Sequence, residues 1–163
     1  MTSLLDIKLN DLQIYHSGKK YYNINDNTGK QLVINNLNAH LPFGVEKYND
    51  KILLNIELLD TNENNNVIST IESIEKFIAK KFPNLGLSSC IKKSKLGHTI
   101  RTHFLKNTEC FILKKNQEKM LIDEINLKLA DSEINLTIKG IWTNDNSYGL
   151  YIIVNSVKVI KFN

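Results

Sequence analysis

The chain has 163 residues, 42% hydrophobic and 23% charged, a balance that excludes wholesale disorder and allows a core that needs no staples. Its formal charge is only +4, and two cysteines, Cys90 and Cys110, cannot make a disulfide framework. No apolar run approaches membrane-spanning length; the longest, Leu150–Val154, is strand-sized. The opening Met-Thr-Ser-Leu-Leu-Asp-Ile-Lys sets an acid and a lysine where a signal peptide needs apolar residues. The expectation is one domain over 1–163, held in a reducing intracellular compartment.

Asn occurs 22 times, Ile 21 times and Lys 20 times, against a single arginine, Arg101. These are residues of AT-rich codons, so the bias describes the coding genome more than the function. The arrangement of charge says more. From Lys76 to Thr108 there is no Asp or Glu, while Lys76, Lys80, Lys81, Lys92, Lys93, Lys95, Arg101 and Lys106 give +8. The remainder sums to −4. Folded onto one surface, such a segment attracts a polyanion; as a solvated lysine-rich face it does nothing further.

In chain order, Leu5, Ile7 and Leu9 alternate with polar residues and predict a strand. Tyr21–Leu37 predicts a hairpin around Asn25-Asp26-Asn27-Thr28-Gly29. Leu41-Pro42-Phe43-Gly44 breaks the chain before strand Lys51–Leu58, whose Ile52, Leu54, Ile56 and Leu58 point one way. Asp60–Asn66 reads as a polar loop. Val67, Ile71, Ile74, Ile78 and Phe82 then form one helical stripe, predicting a helix over 67–82 that Pro83 stops. Ser89–Lys93 and Thr99–Leu105 flank a Ser-Lys-Leu-Gly-His connection, with Ile100, Thr102 and Phe104 on one face and Arg101 and His103 on the other. Phe111–Lys115 reads as a strand. Glu124–Leu129 and Glu133–Lys139 predict a hairpin around Ala130-Asp131-Ser132, and Gly140–Thr143 with Tyr148–Val154 a last one, before strand Val157–Phe162. The class is β-rich α+β: an oligonucleotide-binding (OB) barrel with one principal helix and added hairpins, or a β-sandwich. Such a barrel often carries its helix between the third and fourth strands.

No metal, nucleotide or catalytic motif assembles. Cys90, His98, His103 and Cys110 have no zinc-site spacing. Ser89-Cys90-Ile91-Lys92 lacks the companion motifs of its acyl-enzyme class. No phosphate loop is present, and no glutamate has a lysine two positions on, as a restriction-type nuclease core requires. Asp123/Glu124 and Asp131/Glu133 read as edge acids. The expectation is a protein that is not an enzyme and has no cofactor or metal.

Single-strand binding needs cations that track phosphates and flat side chains on which bases stack. The cations are Lys92, Lys93, Lys95, Arg101 and Lys106, with His103 beside them. The stackers are drawn from Tyr21, Tyr22, Tyr48, Trp142, Tyr148 and Tyr151, of which Tyr22, Tyr148 and Tyr151 are chosen. Of the adjacent pair Tyr21 and Tyr22, only one can face a ligand. Phe43, Phe77, Phe82 and Phe104 are assigned to the core, and Trp142, in phase with Ile138 and Gly140, reads as buried.

Two stretches carry a resemblance. Leu41-Pro42-Phe43-Gly44-Val45-Glu46-Lys47-Tyr48 precedes the Lys51–Leu58 strand and the helix. Lys139-Gly140-Ile141-Trp142-Thr143-Asn144 leads to Tyr148-Gly149-Leu150-Tyr151 and Val157-Lys158-Val159. The pattern resembles the single-stranded DNA-binding proteins of large nucleocytoplasmic DNA viruses, related to phage replication proteins with an OB fold. The resemblance implies sequence-independent single-stranded DNA binding in viral replication, recombination and repair, at a viral replication site in host cytoplasm. Phage relatives end in an acidic tail that recruits replication partners; the ending Val157-Lys158-Val159-Ile160-Lys161-Phe162-Asn163 is basic, so that role is not carried over. RNA as ligand, a homo-oligomer and replication-protein partners stay open. The competing expectation is a viral structural or adaptor protein acting through protein contacts.

Overall fold

Alternation along the strands decides which side chains meet inside. Ile100, Thr102 and Phe104 are buried, while Arg101 is exposed and His103 half-buried, the split their period-two spacing predicts. The computed structural model describes residues 2–3, 7–112, 119–120 and 126–163. In order, it contains β1 (Thr2–Ser3), a 3-10 turn (Leu9–Asp11), β2 (Gln13–His16), β3 (Tyr21–Asn25), β4 (Leu32–Leu41), β5 (Val45–Tyr48) and β6 (Lys51–Leu59). Then come α1 (Asn62–Ala79), β7 (Gly86–Leu87), β8 (Ile91–Lys93), β9 (Gly97–Ile112), β10 (Lys119–Met120), β11 (Ala130–Thr143) and β12 (Ser147–Lys161).

Five strands close on themselves in the order β4-β6-β9-β12-β11, with β11 pairing back to β4. The β9–β12 pairing is parallel and the other four are antiparallel. This is the pairing order of an OB barrel, within a β-rich α+β fold. Closure needs curvature, and bulges supply it. Register slips fall between Asn135 and Leu136 and between Ile138 and Gly140 along the β11–β12 hairpin. On β4, Asn36 takes a φ of +57° and donates its N–H to Asn135 Oδ1 at 2.8 Å.

Ile34, Leu54, Ile56, Ile100, Phe104, Ile134, Leu136, Ile152 and Val154 fill the interior. The stripe of α1 joins them through Val67, Ile68, Ile71, Ile74 and Ile78. Glu75, also on α1 and buried, accepts from Ser89 Oγ at 2.8 Å and from Cys90 N–H at 3.1 Å. It thereby ties the helix to the segment leading into β8, and burial holds its carboxyl above the usual carboxylate range.

Several expectations are corrected. The helix starts at Asn62, not 67, because Thr61 Oγ1 accepts from Asn64 N–H at 3.2 Å and caps it. It also lies between the second and third barrel strands, since β2 and β3 precede the barrel. Leu9 sits in a 3-10 turn and not a strand, with Leu12 N–H bonded to the Leu9 carbonyl; Leu5 lies outside the described residues. Tyr21–Leu37 is not a hairpin. The strands β3 and β4 lie end to end along one edge of β11, and β3 pairs instead with β2. Between them, buried Asp26 accepts through Oδ1 from Thr28 N–H, Thr28 Oγ1 and Lys30 N–H, holding a local excursion that returns the chain to its line. Ala130-Asp131-Ser132 is strand, paired with Leu41, His40 and Ala39; the turn precedes it at Leu129, whose φ is +66°. Residues 113–115 and 124–125 of the expected strands lie outside the described residues. The strand expected over Thr99–Leu105 runs from Gly97 to Ile112 and takes in the start of the expected Phe111–Lys115 strand, while that expected over Ser89–Lys93 covers only Ile91–Lys93 and pairs with it. The hairpin of Gly140–Thr143 with Tyr148–Val154 stands as expected, its second strand continuing through the expected Val157–Phe162 strand to Lys161.

Glu75→Ala leaves the buried Cys90 N–H and the half-buried Ser89 hydroxyl without their acceptor and is expected to cost about 2 kcal/mol in urea unfolding. With its folded pKa raised, the carboxyl's contribution is complete below the unfolded pKa and is lost as pH rises through the folded one. The stability of the wild type relative to Glu75→Gln therefore falls as pH rises through and above the ordinary carboxylate range.

Candidate nucleic-acid interface

The outward face of the barrel is built by register. On β9, Arg101 lies opposite Asn55, and His103 opposite Leu53, both on β6. On the other side His103 neighbours Ile153 of β12, and Tyr151, two residues before it, stands with its ring 4.5 Å from the imidazole. Tyr151 is paired with Gly140 of β11, and Tyr21 of β3 reaches across to place its ring 6.0 Å from that of Tyr151. Trp142 is paired with Tyr21 on one side and Gly149 on the other. Lys51, opposite the exposed Tyr48, and Lys92, opposite Thr99, complete the face. Cations and rings thus lie on six neighbouring strands, β5-β6-β9-β12-β11-β3, with Lys92 beside them on β8.

Two glycines let the rings lie against the backbone. A Cβ at Gly140 would meet the Tyr21 ring, 2.7 Å from its Cζ, and one at Gly149 would meet the Trp142 indole at 2.7 Å. These are the glycines of the second resemblance stretch. Any side chain there would also meet backbone, the Tyr22 carbonyl at Gly140 and the Ser88 carbonyl at Gly149.

The first resemblance stretch also gains a physical role. Gly44 has a φ of +63° and lies so close to the Lys128 backbone that a Cβ would be 2.7 Å from its nitrogen. The turn so fixed projects Phe43, which is 57% exposed. Assigning Phe43 to the core is therefore wrong: it stands between two chain breakers, off the alternating face of either strand. Its ring walls a cleft of about 180 Å³ whose other sides include Asn55, Cys90, Lys92 and Arg101.

The expected site residues divide. Lys92, Arg101, His103 and Tyr151 share the outward face. Lys93 follows Lys92 on one strand, so the two point to opposite sides. With Lys95, Lys93 lines a second cleft against α1 beside Asp60 and Glu72, and neither belongs to the face. Tyr22 also points away, packing its ring edge-on to His16 at 4.8 Å and Phe82 at 5.0 Å. Tyr148 is 2% exposed and stacked on Phe82 at 5.3 Å, a core residue with no face left for a base. Lys106 falls on β9, with its side chain outside the described residues. Tyr21, Trp142, Tyr48, Lys51 and Phe43 are on the face though not chosen from sequence. The pairing of Trp142 with a glycine was the available signal for one of them.

Two cations of the face bear on His103. Burial, then Lys51, then Arg101 push the His103 imidazole down to about 4, so it is neutral at pH 7. Among the described residues neither Lys51, Lys92 nor Arg101 has an ion-pair partner. Both Cys90 and Cys110 are buried free thiols, and no cluster of His, Cys, Asp and Glu among the described residues could hold a metal.

No protein-family model and no curated protein matches the chain. Solved structures do. The single-stranded DNA-binding protein from bacteriophage Enc34 in complex with ssDNA is similar at 12% identity and a TM-score of 0.52, over 93% of this chain and 96% of that one. Its C-terminal truncation gives 12% and 0.57 over 93% and 95%. The same phage protein in a further structure gives 13% and 0.55 over 93% and 90%. At these identities the likeness is one of fold.

A proton NMR titration of the His103 ring is expected to show a midpoint at about 4. Lys51→Gln and Arg101→Gln should each raise it part of the way, burial holding the rest; a midpoint near 6.5 in the wild type would mean that the ring is neither buried nor faced by the two cations.

Proposed function

We propose that this protein binds single-stranded DNA without sequence preference, as a non-enzymatic component of viral DNA replication, recombination or repair in a reducing compartment. The observation that carries the reading is the outward face. Three cations with no ion-pair partner among the described residues stand on one side of an OB barrel with Tyr48, Tyr151, Tyr21, Trp142 and Phe43. Cations hold phosphates wherever they fall along the strand, and rings accept any base, since every base has a π-face. A duplex hides its bases, so it offers the phosphates alone. The similarity of fold to a protein solved in complex with ssDNA supports the same reading.

A structural or adaptor role draws on one feature. Leu59, Leu96 and Ile160 are exposed around a cavity of about 660 Å³ beside the first turn of α1, the kind of apolar rim that protein contacts cover.

Fluorescence anisotropy with a labelled dT oligomer of about 20 nucleotides separates the two readings. Three to five phosphate contacts give a log–log salt slope of about −2 to −3.5 for a single strand, with poor competition by duplex. Lys51→Gln and Lys92→Gln should each weaken binding and flatten the slope by about 0.7. The absence of binding at low salt would remove the single-strand reading and leave the protein-contact one.

A further inference from the structure

Resting on the single-strand reading, we propose that the cleft between Phe43 and Arg101 is a base subsite that takes a carbonyl-bearing base (guanine, cytosine, thymine or uracil) in preference to adenine. Its size, about 180 Å³, suits one planar group. The Phe43 ring forms a wall against which a base can lie, and the buried Cys90 thiol closes the inner side. The Gly44 turn fixes where the Phe43 backbone stands, at the mouth of the cleft.

The hydrogen-bonding groups around the cleft are largely spent on the protein. Ser89 Oγ donates to Glu75 Oε1 at 2.8 Å and accepts from Ile91 N–H at 3.1 Å. The Thr99 hydroxyl donates to the Lys92 carbonyl at 3.4 Å. Asn55 Nδ2 donates to Glu46 Oε1 at 3.0 Å. What remains is weighted towards donors. The Arg101 guanidinium and the Lys92 ammonium donate and cannot accept, and against them stands the Asn55 carbonyl on the strand opposite Arg101.

A guanidinium pairs well with a base edge that offers acceptors, as guanine does with O6 and N7. Cytosine offers O2 beside N3, and thymine and uracil offer O2 and O4. Adenine alone has no carbonyl oxygen. Its N1 and N7 both flank the N6 amine, whose protons would face those of Arg101. The outward face elsewhere accepts all bases alike, so this one position would tilt an otherwise indifferent site.

The test compares dC, dT and dA oligomers of about 20 nucleotides on the wild type and on Arg101→Met and Lys51→Gln. Adenine strands stack on themselves, which lowers their affinity for any protein, so the ratio between variants is what reads the cleft. Arg101→Met is expected to weaken dC and dT binding about fivefold more than dA binding, the low end of a bidentate base contact. Lys51→Gln should weaken all three by one factor. If Arg101→Met also weakens all three by one factor, Arg101 holds a phosphate and the base subsite is overturned; no change on any oligomer overturns it as well. A wild type that binds none of the three would instead remove the single-strand reading itself.

Discussion

Strand β4 closes the barrel between β6 and β11, with the short β1 pairing at its start, and everything else in the molecule depends on its reaching both barrel neighbours. An unbroken strand with native twist would diverge from one of them. The irregularity at Asn36, in the left-handed region and hydrogen-bonded to Asn135, redirects the chain so that His40 can meet Glu57 while Leu32–Leu41 stays on β11. Once the ring is closed, inside and outside are fixed for every strand at once. The strand-borne part of the outward face then follows from parity, and only Phe43 is added to it by a loop.

That face is flat because of what it leaves out. Glycine at 140 and 149 removes two side chains from the middle of the sheet, and the Tyr21 and Trp142 rings occupy the space. The rings are therefore half-buried by backbone below and neighbouring rings beside, with little freedom left to lose on contact with a ligand. Electrostatics work in the same direction. Burial first, then Lys51 and Arg101, lower the pKa of His103. Glu46, the acid nearest in register, is engaged by Asn55.

What could be read from sequence is what depends on neighbours a few residues away. The stripe of α1, the alternation of Ile100, Thr102 and Phe104, and the hairpin ending in Tyr148 are all local patterns, and the class and barrel followed from their order. What escaped depends on partners far along the chain. Tyr148 is buried because Phe82, from beyond the end of α1, lies on it. Tyr22 and Tyr21 were correctly limited to one outward member, but the choice between them is made by their register with Ile141 and Trp142 of β11. The acid-free window was legible as charge and misleading as a surface, because β8 sends Lys92 and Lys93 to opposite sides. The asparagines, read as a mark of the genome, also serve the fold: Asn36 and Asn49 hold left-handed conformations that few other side chains tolerate.

The β2–β3 hairpin joins the barrel through three register pairs, Asn23, Tyr22 and Tyr21 against Gly140, Ile141 and Trp142. Its other strand, β2, is an outer edge with mostly exposed side chains. The seam is backed by the buried Ile24, by the Tyr22 ring on Phe82 and by the Thr143 N–H bonded to the Lys20 carbonyl, so parting it costs core as well as ladder. Tyr21 belongs to this hairpin. One end of the aromatic row is thus mounted on a hairpin outside the five-stranded ring, and a ligand lying across Tyr21 would clasp the one to the other. The amides of β3 would then report occupancy of a surface that their own side chains only partly form.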